Sequence, residues 1–190
     1  MENLHSNISE ACYINIGNDR PGIVGLFMKD QQHGLILSQL ADYLLQGDHE
    51  LPIEFRELIA AYVSKTNNCN FCYNSHKAFA LAATESSQQL IEEILCYDDF
   101  KNLSPKYYYL LQLAKEVAIK VQVGPDIIKV CKEFEATDEE ILRTVQIASA
   151  FCMYNRYVDG LGTVPGTPEY YKEAAQAIKE NGYVAKNVMG

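Results

Sequence analysis

The 190-residue chain has no tryptophan, no long apolar run, and only 16 lysine and arginine residues against 25 aspartate and glutamate residues. Phosphate contacts require clustered basic side chains, so the net charge of −9 argues against binding to nucleic acids or anionic membranes. The chain also lacks a stretch of about 20 apolar residues, the length that spans a bilayer, and an N-terminal signal sequence is not evident. We therefore expect a cytoplasmic protein.

Apolar residues make up 48% of the chain, which is enough for one compact core but leaves little room for two. We predict a single domain over residues 1–190. Six cysteines are present, but a domain with such a core does not need disulfide cross-links. Four of them are predicted to be reduced residues that serve packing, namely Cys12, Cys96, Cys131 and Cys152.

Helical patterns extend along most of the chain, and no alternating strand pattern competes with them, so the predicted class is all-α. Residues 34–46 carry apolar residues at helical spacing and are followed by Gly47, a typical helix end. Their expected buried face comprises Leu35, Leu37, Leu40, Ala41, Leu44 and Leu45. A second helix is predicted from Pro52 to Lys65, and the cysteine-containing helix follows at once.

Helix starts are recognisable in the second half of the chain. Ser104 followed by Pro105 predicts a helix that runs to Gly124. Thr137 and Glu140 have the spacing of a capping box, which predicts a long helix to about Val158. A last helix is predicted to open at 167–168 and to close at Gly182.

The two ends of the chain lack a helical period. Residues 1–20 are predicted to form an extended arm, and residues 183–190 a flexible tail.

Two thiols and an imidazole lie close together in the sequence, in Cys69-Asn70-Phe71-Cys72-Tyr73-Asn74-Ser75-His76. At about 3.6 residues per turn, positions 69, 72 and 76 fall within roughly 60° of one helix face. Both sulfur atoms and the ring could therefore share one pocket, which indicates redox chemistry.

The longer run from Arg56 to His76, with the sequence RELIAAYVSKTNNCNFCYNSH, resembles the signature of the AhpD-like alkylhydroperoxidases of the carboxymuconolactone decarboxylase family. The similarity is strongest to the peroxidase-related branch. Further similar segments are 21–23, 25–27, 155–156 and 159–162, so the resemblance extends over most of the chain.

The resemblance implies an all-helical bundle that forms homo-oligomers and reduces hydroperoxides with a thiol or dithiol reductant, without a metal or other cofactor. By position, Cys72 would be the peroxidatic thiol, Cys69 the resolving thiol, and His76 with Glu57 the proton relay. The best-known members carry a second histidine where this chain has Phe71. That departure removes part of their proton network.

The chemistry can also be argued from the residues. A thiolate that attacks a peroxide becomes a sulfenic acid, and a neighbouring thiol can condense with it to a disulfide. A helix N-terminus and an imidazolium are expected to lower the pKa of the attacking thiol from about 8.5 toward about 6.5, but weaker nucleophilicity leaves a net gain of only about threefold. Proton transfer through His76 and Glu57, typically a factor of about 10² to 10⁴, is the larger expected contribution.

Other interpretations of the same residues remain open. A structural zinc site could use Cys69, Cys72 and His76, but the second ligand pair typical of such sites is not evident. Haem attachment would need histidine where Tyr73 stands. A general thiol–disulfide oxidoreductase needs the same cysteines without the peroxide step and is the strongest alternative. A lactone decarboxylase is a further alternative, but that reaction needs no cysteine pair. In a non-enzymatic module the two cysteines would simply be core residues.

Overall fold

The computed structural model describes residues 12–84, 86–120 and 122–184, and within them the chain forms nine α-helices and no β-strand. The predicted all-α class is therefore confirmed. The helices are α1 (Gly22–Lys29), α2 (Gln31–Gln46), α3 (Ile53–Thr66), α4 (Asn70–Ala83), α5 (Gln88–Tyr97), α6 (Pro105–Ile119), α7 (Pro125–Glu133), α8 (Asp138–Gly160) and α9 (Pro168–Asn181). None of these helices is long and apolar enough to cross a membrane.

The central helix of the bundle is α3. Every residue from Phe55 to Ser64 is buried, because α4, α6 and α8 pack around this helix. A helix that is buried on all sides carries its polar residues into the core as well. Glu57 is one of them, which places a carboxylate at the centre of the molecule.

Helix α3 is joined to α4 by a tight turn. Asn68 adopts a left-handed conformation with φ of 58°, which asparagine tolerates better than most residues. Helix α9 packs on the other side of α4, so α4 lies between the central helix and the C-terminal helix.

The predicted helix starts agree with the structure. Proline occupies the first turn of both α6 and α9, and the side chains of Ser104 and Thr167 cap these helices. At the start of α8 the Thr137 hydroxyl accepts the Glu140 N–H at 3.1 Å, while the Glu140 carboxylate accepts the Thr137 N–H at 2.9 Å. The predicted capping box is confirmed.

Three features of the helices differ from the prediction. The helix from Pro105 ends at Ile119 and not at Gly124, since Gly124 and Pro125 begin a separate helix, α7, that the sequence pattern did not reveal. Helix α1 was not predicted either. On α2 the buried face is formed by Gly34, Leu37, Ala41, Leu44 and Leu45, whereas Leu35 and Leu40 lie off this stripe and are exposed.

The N-terminal arm is partly described. Residues 12–20 contain no helix, as expected, and the Tyr13 N–H donates to the Leu161 carbonyl at 2.8 Å. This bond fixes the arm against the end of α8. Residues 1–11 of the predicted arm lie outside the described residues.

All six cysteines are free thiols. Cys131 is buried, and Cys12 and Cys152 are partly buried, in agreement with a packing role. Cys96 is exposed, so the prediction that it serves core packing is wrong. It lies in the last turn of α5, on the side that faces away from the core.

The capping box at the start of α8 gives a direct test of stability. Thr137→Ala removes the acceptor for the Glu140 N–H and should lower the free energy of unfolding by about 1 kcal/mol in urea denaturation. Thr137→Ser keeps the hydroxyl and should stay close to the parent protein. Equal stability of the alanine and serine variants would contradict a stabilising cap.

Candidate active site

A carboxylate and an imidazole meet between α3 and α4. The Nδ1 atom of His76 lies 2.8 Å from Oε2 of Glu57. Glu57 is 0% exposed and His76 8% exposed. With Nδ1–H donated to the carboxylate, Nε2 of the ring is left as the hydrogen-bond acceptor.

The carboxylate has two further donors that sequence reasoning missed. Nε2 of Gln46 donates to Oε1 of Glu57 at 3.0 Å, and the Tyr183 hydroxyl approaches Oε1 at 2.8 Å and Oε2 at 3.0 Å. A carboxylate away from water requires such donors, because its burial is otherwise costly. Gln46 ends α2 and Tyr183 follows α9, so four chain segments converge on this group.

The position of Tyr183 corrects the predicted tail. Residues 183–190 were expected to be flexible, but the Tyr183 N–H donates to Oδ1 of Asp42 at 2.8 Å and its hydroxyl reaches the site. Burial and the charge of Glu57 raise the pKa of Tyr183 well above its usual range. The side chain therefore stays a neutral phenol. Residues 185–190 lie outside the described residues.

The two cysteines lie at the beginning of α4. Cys69 has an extended backbone and stands just before the helix, whereas Cys72 is in its first turn. The two are 0% and 3% exposed and pack in a small apolar cluster with Phe71, Val158 and Tyr171. The structure thus brings the thiols together, although Cys69 is not within the helix as the face argument assumed.

The pKa of Cys72 is raised well above its usual range. The largest cause is its hydrogen bond to Cys69, followed by burial and by repulsion from charge on Cys69. The buried Asn155 on α8 faces the same thiol and acts in the opposite direction. The expected lowering of the pKa of the attacking thiol at the helix N-terminus is therefore wrong for Cys72, because the neighbouring sulfur and the apolar surroundings outweigh the helix dipole.

A cavity of about 60 Å³ lies beside these groups. Cys72 and His76 both line it, and Cys69 does not. Its other walls are almost entirely apolar or aromatic and comprise Ile23, Phe27, Leu37, Ser38, Ala41, Phe71, Phe151, Tyr154 and Tyr183. A reactant in this cavity would therefore meet one sulfur atom and one imidazole within a largely apolar space.

Phe71 occupies the position between the two cysteines. Its ring packs near Tyr170 and Tyr171, with centroid distances of 6.3 Å and 5.9 Å. A Cβ atom at Gly22 would lie 2.3 Å from this ring, so glycine is required where the chain passes over it. Phe71 thus contributes an apolar wall and no proton donor or acceptor.

Metal binding by these residues finds no support. Across residues 12–84, 86–120 and 122–184, no group of three or more histidine, cysteine, aspartate or glutamate side chains is arranged to hold a metal ion. Nδ1 of His76 is already bonded to Glu57. Cys69, Cys72 and His76 are thus not gathered into a three-ligand group in the described part of the chain.

Comparison with known proteins finds one matching family model. Residues 35–116 match the carboxymuconolactone decarboxylase family. This match agrees with the resemblance seen in the sequence. The matched range contains Glu57, Cys69, Cys72 and His76, whereas Tyr183 lies outside it. No curated protein matches the sequence significantly.

Solved structures share the fold. An uncharacterized peroxidase-related protein from Silicibacter sp. TM1040 is 21% identical, with a TM-score of 0.70 over 80% of this chain and 78% of its own. A second one from Ralstonia eutropha JMP134, described as an alkylhydroperoxidase AhpD core, is 20% identical, with a TM-score of 0.70 over 82% and 81%. A protein of unknown function from Agrobacterium tumefaciens, a candidate antioxidant defence protein AhpD, is 18% identical, with a TM-score of 0.65 over 77% and 99%.

The influence of Cys69 on Cys72 can be measured by alkylation. Cys69→Ala removes the hydrogen bond and the charge that raise the pKa of Cys72, so more thiolate forms at a given pH. We expect iodoacetamide to label Cys72 several times faster at pH 8 in this variant, because the thiolate is the reactive form. Peptide mass spectrometry gives the rate for each cysteine.

Cys131 serves as the internal control for this measurement. It is buried in the core, burial raises its pKa to about 11, and it should react equally slowly in both proteins. Identical labelling of Cys72 with and without Cys69 would show that the neighbouring sulfur does not control its ionisation.

Proposed function

We propose that the protein is a thiol-dependent hydroperoxide reductase. The observation that carries the proposal is the shared cavity: Cys72 and His76 line the same small space, and His76 is bonded through Nδ1 to the buried Glu57. A thiol with a raised pKa needs a base at the moment of reaction, and the imidazole is placed on the next turn of the same helix.

The reaction begins with transfer of the Cys72 proton to Nε2 of His76. The sulfur then attacks the terminal oxygen of the hydroperoxide, the O–O bond breaks, and the departing alkoxide takes the proton from the imidazolium. Cys72 is left as a sulfenic acid. The Cys69 thiol condenses with it, which releases water and forms the Cys69–Cys72 disulfide, and a thiol or dithiol reductant then restores both thiols with two electrons.

The burial of both thiols favours this reaction over general thiol–disulfide exchange with proteins. Cys69 and Cys72 are 0% and 3% exposed, so a disulfide on a folded partner protein would not reach either sulfur. A small hydroperoxide is compatible with a cavity of about 60 Å³. For the same reason we infer that the reductant presents a slender thiol or dithiol.

We also propose an oligomeric state and a cellular location for the protein. Assembly into homo-oligomers is supported by a row of exposed apolar side chains on α2, which includes Leu35, Ile36, Leu40 and Tyr43. A cytoplasmic location suits a site that requires reduced thiols.

The central experiment follows the two thiols. One equivalent of hydrogen peroxide should produce a Cys69–Cys72 disulfide, detected by peptide mass spectrometry. Cys72→Ser should abolish peroxide consumption. Cys69→Ser should instead accumulate a sulfenic acid on Cys72, which dimedone traps. Consumption of peroxide by the Cys72→Ser variant, or a wild-type protein whose thiols stay reduced, would refute the proposal.

The proton relay makes a separate prediction. His76→Ala and Glu57→Gln should slow peroxide consumption by a factor of about 10² to 10⁴, the usual contribution of positioned proton transfer. Stopped-flow kinetics measures this effect, and circular dichroism checks that both variants keep their helices. His33→Ala, which removes an exposed imidazole, is the matched control and should retain the parent rate. Parent rates in both relay variants would exclude the relay.

A further inference from the structure

Tyr183 makes more polar contacts with the site than its position in the sequence suggests. It is 107 positions from His76, yet its hydroxyl lies 3.3 Å from Nδ1 of that ring and within 3.0 Å of both Glu57 oxygens. Its own ring is stacked near the imidazole at 19° with a centroid distance of 6.1 Å. The same side chain lines the cavity that holds Cys72.

The backbone fixes this side chain in place. Gly182 ends α9 with φ of 73°, a left-handed conformation that favours glycine, and a Cβ atom there would lie 2.5 Å from Oδ1 of Asp42. That oxygen accepts the Tyr183 N–H at 2.8 Å. Helix α2 therefore holds the turn that directs Tyr183 toward the core, so the contact with Glu57 does not depend on one side chain alone.

We propose that Tyr183 is a positioning residue of the site: its phenol shares the Glu57 carboxylate with His76 and so keeps the imidazole neutral and aligned for the Cys72 proton. The transfer of the Cys72 proton rests on the proposed peroxidase function. The contacts of Tyr183 with Glu57 and His76 are observed in the structure and are independent of that function.

The charge of Glu57 provides the physical reason. Among the described residues, Glu57 has three hydrogen-bond partners, and only the Tyr183 hydroxyl lies close to both carboxylate oxygens. Its O–H therefore offsets part of the negative charge on each oxygen. Without the Tyr183 hydroxyl, Oε1 of Glu57 would still accept a hydrogen bond from Gln46, and Oε2 would accept one from His76. More negative charge then acts on the imidazole, which favours the protonated ring, and a protonated ring cannot accept the Cys72 proton.

Other ionisable groups surround the Glu57–His76 pair, and a variant that lacks only the Tyr183 hydroxyl keeps all of them. They come from every element packed against the pair and comprise Arg56 on α3, Cys72 on α4, Asp42 on α2, Tyr154 on α8 and Lys179 on α9. A change in the protonation of His76 in such a variant can thus be assigned to the missing hydroxyl.

The test is Tyr183→Phe in the full chain, because phenylalanine keeps the ring and removes only the hydroxyl. We expect the acid limb of the kcat/KM profile for hydrogen peroxide to move upward by about one pH unit, since one hydrogen bond to a charged group changes an equilibrium by about tenfold or more. At pH values well below both midpoints, kcat/KM should therefore be about tenfold lower in the variant. Tyr97→Phe, which removes an exposed hydroxyl, is the matched control and should change neither quantity.

A second measurement keeps this inference separate from the proposed function. The protonation of the His76 ring is followed by nitrogen-15 NMR in both proteins, with the His76→Gln variant used to assign the signal. A titration midpoint that is higher in Tyr183→Phe supports the positioning role even if the wild-type protein consumes no peroxide, an outcome that would refute only the proposed function. An unchanged midpoint, or an unchanged acid limb in an active enzyme, would overturn the role of Tyr183.

Discussion

The buried carboxylate of Glu57 is the constraint on which the site depends. It lies on the central helix with no exposure to water, so every interaction it makes must come from the protein. Donors arrive from the end of α2, from α4 and from the residue that follows the turn after α9. Any displacement of these elements would leave the Glu57 carboxylate without hydrogen-bond donors. The arrangement of the helices and the orientation of the His76 ring are therefore linked.

The thiol pair illustrates how packing changes the chemistry of a helix N-terminus. A cysteine in the first turn of a helix commonly ionises readily, but Cys72 is hydrogen-bonded to the Cys69 sulfur and has apolar surroundings, both of which favour its protonated form. Two thiols at such close range do not both ionise easily. In the proposed reaction a base accepts the Cys72 proton, and His76 lines the same cavity as this thiol.

The apolar character of the cavity has a related consequence. Phe71 provides a wall of the cavity, so in the proposed reaction the proton pathway depends on the single imidazole of His76. Its supporting groups, Gln46 and Tyr183, are correspondingly important. Both lie outside the short motif that contains the cysteines, and Tyr183 lies outside the segment that matches the family.

The sequence alone determined the helical class, the capped starts of α6, α8 and α9, and the closeness of Cys69, Cys72 and His76, because these features depend on local spacing and on residues near one another in the chain. Helix α7 was missed although Pro125 in its first turn is a local signal. The exposure of Cys96 and the contacts of Tyr183 could not be revealed, because they depend on elements far apart in sequence. Only the tertiary structure decided that Cys72 and not Cys69 lines the cavity with His76, and that the pKa of Cys72 is raised. Burial and long-range hydrogen bonds arise from packing, and no local pattern encodes them.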